Sequence, residues 1–376
     1  MRVLYLINYA GKAGIEKYVE NLVRLLPEEG VTPFFAYNIP GELSEKMEAR
    51  GVKSPRLNLN WVNAPRAVKE LAHFCRKLSI EVIHAQGPRE NILALLAARR
   101  CPGVRVVYTE HFTRRCGRVW HALYRHFTPQ NHKVIAVCPE AKEVLIANGC
   151  APYKIRVVYN GVIPARSARR REPFRQEMGL DDRTFLISCL ARLQPEKGLG
   201  FLIRSLETLQ SITTRPFCCV VAGDGPLEEE LRSEAEAAGL GNRFRLLGYR
   251  TDTGDILGAS DLYVCSSKCN EAHSFAILEA MNAGLPLVVT DVGGNRDMAE
   301  GGGICGKTVP YGDEAGFARA VRELMEDEEK RKSWSAAARK KIEERFDLNR
   351  LSTQVYECYL NRGGTKHDRQ KRTNRR

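Results

Sequence analysis

The stretch EAHSFAILE, residues 271–279, places two glutamates seven residues apart. The apolar segment DLYVC at residues 261–265 precedes it and is typical of a buried strand. The residues that follow the stretch, AMNAGLP, contain the Gly and the Pro that commonly end a helix. The sequence therefore predicts a strand, a loop that carries Glu271, and a helix that carries Glu279.

The start of this predicted helix is a candidate site for an anion. Ser274 is the expected N-cap residue. The amides of Phe275, Ala276 and Ile277 then have no partner within the helix, and such amides suit a diphosphate. One ligand could meet this helix start and both glutamates. Without further motifs, two glutamates at this spacing are more often a solvated loop residue and an exposed helix residue.

Two cations upstream extend the set. Arg192 and Lys197 lie on the loop that follows the apolar segment FLISCL at residues 185–190, which predicts a buried parallel strand. Ligands of open α/β sheets bind at the carboxyl ends of strands. The fork of Arg and the point charge of Lys both suit phosphate oxygens. The two cations and the two glutamates, in this order along the chain, are therefore candidates for one site.

Strands and helices alternate along the chain, which predicts parallel sheets with right-handed crossovers. The candidate strands are residues 3–7, 32–36, 82–84, 105–108, 134–137, 155–158, 185–189, 217–221, 244–246, 262–265 and 287–289. A chain of 376 residues can build two domains of ordinary size. We expect an α/β protein in which two Rossmann-like parallel-sheet domains face each other across a cleft.

The periodicity breaks near residues 160–173, and this break sets the expected domain boundary. We expect an N-terminal domain over residues 1–165 and a C-terminal domain over residues 166–345. A helical pattern continues to residue 359, and residues 363–376 are typical of a basic disordered tail.

Taken in order, these motifs resemble the retaining glycosyltransferases of family four, or glycosyl transferases group 1, which have the GT-B fold. The matching C-terminal residues are Arg192, Lys197-Gly198, AGDGP at 222–226, LLG at 246–248, residues 271–279 and DVGG at 291–294. The matching N-terminal residues are GIE at 14–16, TEH at 109–111, VIAV at 134–137 and VYNGV at 158–162. The resemblance covers residues 1–360. One departure is Ala272-His273-Ser274, where the family usually has Gly-Phe-Gly.

The resemblance implies a retaining hexosyltransferase whose partners are a UDP- or GDP-sugar donor and a glycan or lipid-linked acceptor in cell-envelope or polysaccharide biosynthesis. The implied catalytic residues are His111, Arg192, Lys197 and Glu271. The implied donor-binding residues are Gly14, Arg192, Lys197, Gly223, Ser274, Phe275, Ala276, Ile277 and Glu279. It also implies that residues 1–165 form the acceptor-side domain and residues 166–345 the nucleotide-sugar-binding domain. Front-face transfer and a C-terminal helix, residues 346–362, that packs back on the N-terminal domain are implied as well.

In the family's pattern, each of these groups has its own task. Glu279 would accept hydrogen bonds from the ribose hydroxyls. Arg192 and Lys197 would hold the diphosphate together with the helix amides. Glu271 would contact the transferred sugar, and His111 would orient that sugar from the opposite domain.

We expect neither a cofactor nor a metal. No D-x-D motif lies at a strand end, so fixed cations and the helix start would stabilise the departing diphosphate. The 12 cysteines show no paired C-x-x-C spacing, which argues against zinc. Free thiols, a first segment that predicts a strand rather than a signal peptide, and no apolar run of membrane-spanning length predict a cytoplasmic protein.

The formal net charge of +13 leaves other partners to consider. Basic clusters lie at residues 114–125, 166–175 and 366–376. The first is interleaved with aromatic residues and predicts either an amphipathic helix at an anionic membrane surface or an ordinary surface helix packed by its apolar side. Peripheral membrane association is therefore open, whereas nucleic acid is not an expected partner because no binding motif is present.

The sequence also contains a stretch that matches a phosphate-binding pattern. GGGICGKT at residues 301–308 matches the P-loop pattern, but Pro310 follows closely, so we interpret it as a Gly-rich turn into a strand rather than a phosphate loop. Two other functions are alternatives to glycosyl transfer. One is a sugar-nucleotide epimerase-like enzyme on the same fold, and the other is a basic nucleic-acid-binding protein.

Overall fold

The computed structural model describes residues 1–165 and 171–360. In these residues two six-stranded parallel sheets form. The first sheet, in spatial order, contains β2 (Thr32–Ile39), β1 (Arg2–Tyr9), β3 (Val82–Ala85), β4 (Arg105–Glu110), β5 (Lys133–Ala136) and β6 (Ile155–Val157). The second contains β12 (Gly306–Val309), β11 (Leu287–Thr290), β10 (Leu262–Cys265), β7 (Phe185–Leu190), β8 (Phe217–Ala222) and β9 (Phe244–Leu246). The predicted α/β fold is confirmed.

Helices connect the strands in each domain. In the first they are α1 (Gly14–Leu25), α2 (Glu42–Ala49), α3 (Ala64–Lys77), α4 (Pro88–Ala98), α5 (Arg118–Phe127) and α6 (Pro139–Ala147). In the second they are α7 (Glu172–Glu177), α8 (Leu199–Ile212), α9 (Glu228–Ala237), α10 (Thr253–Ala259), α11 (Phe275–Asn282), α12 (Asn295–Ala299) and α13 (Glu314–Glu326). The long α14 (Glu328–Arg345) and α15 (Leu348–Tyr359) follow.

Both faces of each sheet are buried, which explains why the strands are almost continuously apolar. In β1, Tyr5 packs into one hydrophobic cluster with α1 and α15, while its neighbour Leu6 packs into another with α3 and α4. In β7, Ile187 faces α8 and α13, and Leu186 faces α7 and α10.

The strand order places the candidate site. In each sheet the order reverses once, between β1 and β3 in the first and between β7 and β10 in the second. Ligands of open α/β sheets bind outside the carboxyl ends of the strands at such a switch point. The segments that follow β1 and β3 carry Gly14, at the start of α1, and Gln86, and the loops after β7 and β10 carry Lys197 and Glu271. The candidate residues therefore lie at both switch points.

The end of the chain ties the two domains together. The Val162 amide donates to the Phe346 carbonyl oxygen at 3.0 Å, and the Leu348 amide donates to the Val162 carbonyl oxygen at 3.0 Å. The helix α15 then packs against α1 and β4 of the first domain. Its last residue, Tyr359, bonds His84 there, with 2.6 Å between the hydroxyl oxygen and Nδ1.

The basic clusters meet three different outcomes. Residues 166–170 and the tail predicted at residues 363–376 lie outside the described residues. Arg175, at the end of the second cluster, is buried and donates to backbone carbonyl oxygens, so its charge is not available to a partner. The predicted amphipathic helix is α5, and its aromatic side packs on the first domain through Tyr124 and Trp120.

Two other interpretations can be compared with the structure. Residues 301–305 form a turn after α12 and lead into β12, and Lys307 pairs with Glu323 at 3.0 Å, so the P-loop lookalike is a turn into a strand as predicted. Within residues 1–165 and 171–360, none of the helices has the length and apolar character needed to cross a bilayer.

Candidate active site

The two domains meet across the cleft through the loops at the switch points. A Cβ atom added to Gly14, the first residue of α1, would lie 3.5 Å from the Phe275 ring at the start of α11. The Thr113 hydroxyl donates to the Glu271 carbonyl oxygen at 2.5 Å. Lys12 Nζ lies 3.6 Å from Asp224 Oδ2. Two helix starts, one from each domain, therefore face the same space.

Lys197 and Glu271, on the loops after β7 and β10, form a largely buried ion pair on the second-domain side of this space. Glu271 Oε1 accepts from Lys197 Nζ and, at 2.7 Å, from the Ser267 hydroxyl. Burial by itself lowers the pKa of Lys197, but the adjacent carboxylate outweighs burial, so the pKa is raised. Lys197 therefore stays charged at neutral pH. No described residue donates to Glu271 Oε2, which is left for a ligand hydroxyl.

Two glycines allow the backbone to bring this pair together. Gly198 has φ +62°, and a side chain there would collide with the Ser266 carbonyl oxygen. Gly293 has φ +56°, and a side chain there would collide with the carbonyl oxygen of Glu271 itself. Only glycine meets both the left-handed conformation and the close approach. The Lys197 and Glu271 loops are thus packed backbone to backbone against their neighbours.

The helix α11 begins as predicted, at Phe275 with Ser274 at the N-cap. Ser274 makes no side-chain capping bond, and the first backbone bond of the helix runs from the Leu278 amide to the Ser274 carbonyl oxygen at 3.1 Å. The amides of Phe275, Ala276 and Ile277 find no acceptor in the described part of the chain. Three donors are therefore available to an anion at this helix start.

Arg192 and Gly223 form the wall of the site next to β7 and β8. Arg192 is 57% exposed and pairs with Glu196 at 3.2 Å. Burial raises the pKa of Glu16 in the first domain, and the charge of Arg192 across the cleft acts in the opposite direction. The Gly223 amide donates to the Gly248 carbonyl oxygen at 2.8 Å. Arg192 therefore lies at the rim of the cleft with its guanidinium open to a ligand.

His111 follows β4 and reaches the cleft from the first domain. Its Nε2 lies 2.9 Å from Gln86 Oε1, and the Tyr18 ring packs edge-on with ring centroids 4.9 Å apart. Burial lowers the pKa of His111 to about 3, so the imidazole is neutral at physiological pH. The contact between Thr113 and Glu271 places the His111 loop beside the Glu271 loop. The structure thus brings together His111, Lys197 and Glu271.

Three residues of this site were not predicted as site residues. Lys17 lies in the first turn of α1 and its Nζ contacts the Glu279 carboxylate. Lys12 packs over the Tyr249 ring with Nζ 3.6 Å from the centroid. Gln86 bonds His111. Lys17 follows Gly14 by three residues and so lies near the helix start, which is the one signal in the sequence that indicated it.

Throughout the part of the chain that the structure describes, no three His, Cys, Asp or Glu side chains lie close enough together to hold a metal ion. All 12 cysteines are free thiols.

This geometry can be compared with known proteins. Residues 13–166 match Glycosyltransferase Family 4, and residues 170–341 match Glycosyl transferases group 1. The chain is 25% identical over 365 residues to the UDP-Gal:alpha-D-GlcNAc-diphosphoundecaprenol alpha-1,3-galactosyltransferase of Escherichia coli, a match that covers 93% of this chain and 94% of that enzyme. It is 29% identical over 196 residues to a lipopolysaccharide core biosynthesis mannosyltransferase of Rhizobium meliloti, covering 50% of this chain and 55% of that enzyme.

Among solved structures, Anabaena HepE in complex with UDP superposes with a TM-score of 0.84 at 21% identity, and the match covers 95% of this chain and 99% of that one. A likeness at this level of identity establishes the fold. Together, the two family matches extend over both domains and over every candidate site residue. This chain belongs to the glycosyl transferases group 1, enzymes with the GT-B fold.

Proposed function

We propose that this protein is a retaining glycosyltransferase that moves a hexose from a UDP-sugar to a lipid-linked or glycan acceptor. The observation that carries the proposal is the charged pair of Lys197 and Glu271, which lies beside the unpaired amides at the start of α11. A cation and three amide donors suit a diphosphate, and a carboxylate oxygen without a partner suits a sugar hydroxyl.

In this proposal, the ligand spans the switch point of the second sheet. The diphosphate lies against the amides of α11 between Lys197 and Arg192. The ribose hydroxyls donate to Glu279, one turn into the same helix. The transferred sugar donates to Glu271 Oε2 and meets His111 from the other domain. Gly14 leaves room for the donor opposite Phe275, because a Cβ there would already be in contact with the ring.

The transfer itself needs no nucleophile from the protein. The bond between the anomeric carbon and the β-phosphate oxygen breaks, and its electron pair stays on that oxygen. The acceptor hydroxyl attacks the anomeric carbon from the same face, and its proton passes to the departing phosphate oxygen. Lys197, Arg192 and the α11 amides would stabilise the negative charge that grows on the diphosphate, and no metal would take part.

Two measurements test this proposal. Calorimetry with UDP and with GDP tests the base, and binding of GDP in preference to UDP would contradict a UDP-sugar donor. The choice of UDP is supported by the donor in the name of the Escherichia coli relative and by the UDP bound in the structural neighbour. NMR of the first-formed product reads the anomeric configuration directly. An inverted product would exclude retention.

A lipid-linked acceptor is supported by the surface of the first domain. At the carboxyl edge of the first sheet, Val62 is 93% exposed and Val119 is 74% exposed. The Trp61 and Trp120 rings lie next to each other there, with centroids 6.2 Å apart. The exposed arginines of this region are Arg114, Arg115, Arg118 and Arg125. Exposed apolar groups beside cations suit the interface of an anionic membrane.

Liposome sedimentation tests this surface. Vesicles with anionic lipid should retain the protein at low salt, and neutral vesicles should not. The double variant Arg114→Glu, Arg118→Glu should reduce retention, while Arg232→Glu on α9 serves as the matched control in the other domain. Equal sedimentation of the protein with and without anionic lipid would remove the membrane from the proposal.

A further inference from the structure

Gln86 is a buried amide that links two histidines of the first domain. It follows β3 and is 4% exposed. Its Nε2 lies 3.2 Å from the His84 carbonyl oxygen, and its Oε1 lies 2.9 Å from His111 Nε2. Its own backbone amide donates to the Leu6 carbonyl oxygen at 3.0 Å, which holds the residue at the end of the sheet. The side chain therefore has a fixed position and two fixed neighbours.

The His84 carbonyl oxygen determines which way this amide points. A backbone carbonyl can only accept a hydrogen bond, so the group facing it must be the NH2 of Gln86. The opposite orientation would put two acceptor oxygens against each other in a buried place. Gln86 Oε1 must then face His111, and because that oxygen can only accept, His111 Nε2 must carry the proton. The tautomer of His111 follows from one backbone carbonyl.

His84, the other histidine that Gln86 contacts, has hydrogen-bond partners of its own. Both ring nitrogens of His84 are occupied, Nδ1 by Tyr359 at 2.6 Å and Nε2 by Thr109 at 2.7 Å. The Tyr18 ring packs edge-on against the His111 ring. His111 is half-buried between these groups, its imidazole is neutral because burial lowers its pKa, and no described residue bonds its Nδ1.

We propose that Gln86 is a positioning residue that holds His111 in its Nε2-protonated tautomer, so that an unprotonated Nδ1 faces the cleft. The consequence for transfer rests on the proposed function: Nδ1 can accept a hydrogen bond from a hydroxyl of the bound sugar but cannot donate one. His111 then orients a hydroxyl and does not act as an acid. A sugar that offers only an acceptor at this point would meet a lone pair and be rejected.

The tautomer can be measured in the free protein by ¹⁵N–¹H correlation NMR of the imidazole rings. The His111 signals are assigned by their loss in His111→Asn. In the wild type we expect Nε2 with the shift of a protonated nitrogen and Nδ1 with that of a bare one. In Gln86→Met, which keeps the length of the side chain and removes the acceptor, we expect shifts averaged between tautomers. A protonated Nδ1 in the wild type, or unchanged shifts in Gln86→Met, would overturn the proposal.

Kinetics then test the consequence. Gln86→Met should lower kcat/KM for the UDP-sugar on the order of tenfold, the effect of one misdirected hydrogen bond, and should leave the affinity for UDP alone unchanged. The control is Asn131→Leu, which removes a buried amide just before β5, at the opposite edge of the same sheet. It should leave the His111 shifts and kcat/KM as they are. An equal loss of kcat/KM in both variants would reduce Gln86 to a structural role.

These arms separate this proposal from the proposed function. If no sugar is transferred by any form of the protein, the proposed function fails, while the NMR of the free protein still decides the tautomer. If Gln86→Met does not fold, a wild-type His111 that shows the Nδ1-protonated or a mixed state is sufficient to reject the assignment. A single Nε2-protonated state that persists on titration from pH 8 to about pH 6, across the ordinary pKa of histidine, supports it.

Discussion

Lys17 of the first domain contacts the carboxylate of Glu279 in the second, directly across the cleft. The lysine also lies over the Phe275 ring, with Nζ 5.7 Å from the centroid. Glu279 is the residue proposed to accept the ribose hydroxyls, and its Oε1 is the atom that Lys17 contacts. The ribose and Lys17 would therefore compete for the same carboxylate.

The first prediction concerns Glu279. Replacing it by alanine should weaken binding of UDP by about 1–3 kcal/mol, because ribose hydroxyls taken out of water would lose their acceptor. Isothermal titration calorimetry measures this directly. The control is Glu323→Ala, which removes a carboxylate of α13 that is paired with Lys307 and Lys330. A Glu279→Ala protein that binds UDP as tightly as the wild type would remove Glu279 from the donor site.

The second prediction concerns its partner. Lys17→Met should strengthen UDP binding by about 0.5 kcal/mol, because the ribose no longer has to displace a partly exposed ion pair of that strength. The same titration gives the result, and Lys46→Met on α2, which removes a similar surface ion pair with Glu42, serves as control. Weaker UDP binding in Lys17→Met would mean that Lys17 contacts the donor itself.

The elements of this fold were predictable from the sequence because their signals are local. The apolar segments at residues 185–190 and 261–265 and the Gly and Pro after Asn282 are short-range patterns, and β7, β10 and α11 lie where those patterns indicate. The unpaired amides at the start of α11 follow from the helix start alone. Local patterns thus carried the prediction up to the level of single loops.

The contacts between loops could not be predicted in this way. Lys197 and Glu271 pair because β7 and β10 are neighbours in the sheet although residues 191–261 separate them in the chain. Sequence reasoning assigned the two residues to different parts of the donor and did not indicate that they meet. The link between Gln86 and His111 depends in the same way on the neighbouring positions of β3 and β4.

The third prediction uses His273, which stands where the family usually has Phe. Its Nδ1 and Nε2 are buried without a partner, and its ring packs against Phe346 with centroids 4.8 Å apart. His273→Phe should therefore stabilise the protein by about 1–3 kcal/mol at pH 7.5, the cost of an unsatisfied buried polar group. Urea unfolding measures the difference. The control is His126→Phe, at an exposed position of α5.

The advantage of His273→Phe should also depend on pH. Burial lowers the pKa of His273 to about 3, whereas an unfolded histidine titrates near pH 6.5. Below pH 6.5 the unfolded wild type binds a proton that the folded state does not, so the wild type loses stability as the pH falls. The gap between variant and wild type should widen by about 1.4 kcal/mol per pH unit between pH 6 and pH 4. A gap that is constant over this range would contradict buried, neutral His273.

The fourth prediction is that transfer needs no divalent ion. The proposed site stabilises the diphosphate with Lys197, Arg192 and the α11 amides instead. Turnover of a UDP-sugar should therefore be the same before and after treatment with excess EDTA. Loss of turnover that magnesium or manganese restores, with no change in the melting temperature, would show that a metal ion takes part in the chemistry.

The fifth prediction concerns the transition state. Negative charge grows on the diphosphate as the sugar departs, so Lys197 and Arg192 should act more strongly there than on the bound donor. Arg192→Lys should lower kcat, because an ammonium cannot replace the two-pronged fork of Arg192 at its exposed position. Its effect on UDP affinity should be small. A variant with normal kcat and raised KM would assign Arg192 to ground-state binding alone.

Lys197 allows a sharper form of this test because its loss has two separable effects. Lys197→Met should lower kcat by about 10²–10³ while the protein still binds UDP. It should also destabilise the fold, because it leaves the buried Glu271 carboxylate without its cation. The double variant Lys197→Met, Glu271→Gln removes the uncompensated charge, so it should regain stability in urea unfolding without regaining kcat. Recovery of kcat together with stability would show that Lys197 supports the fold of the site and does not stabilise the departing diphosphate.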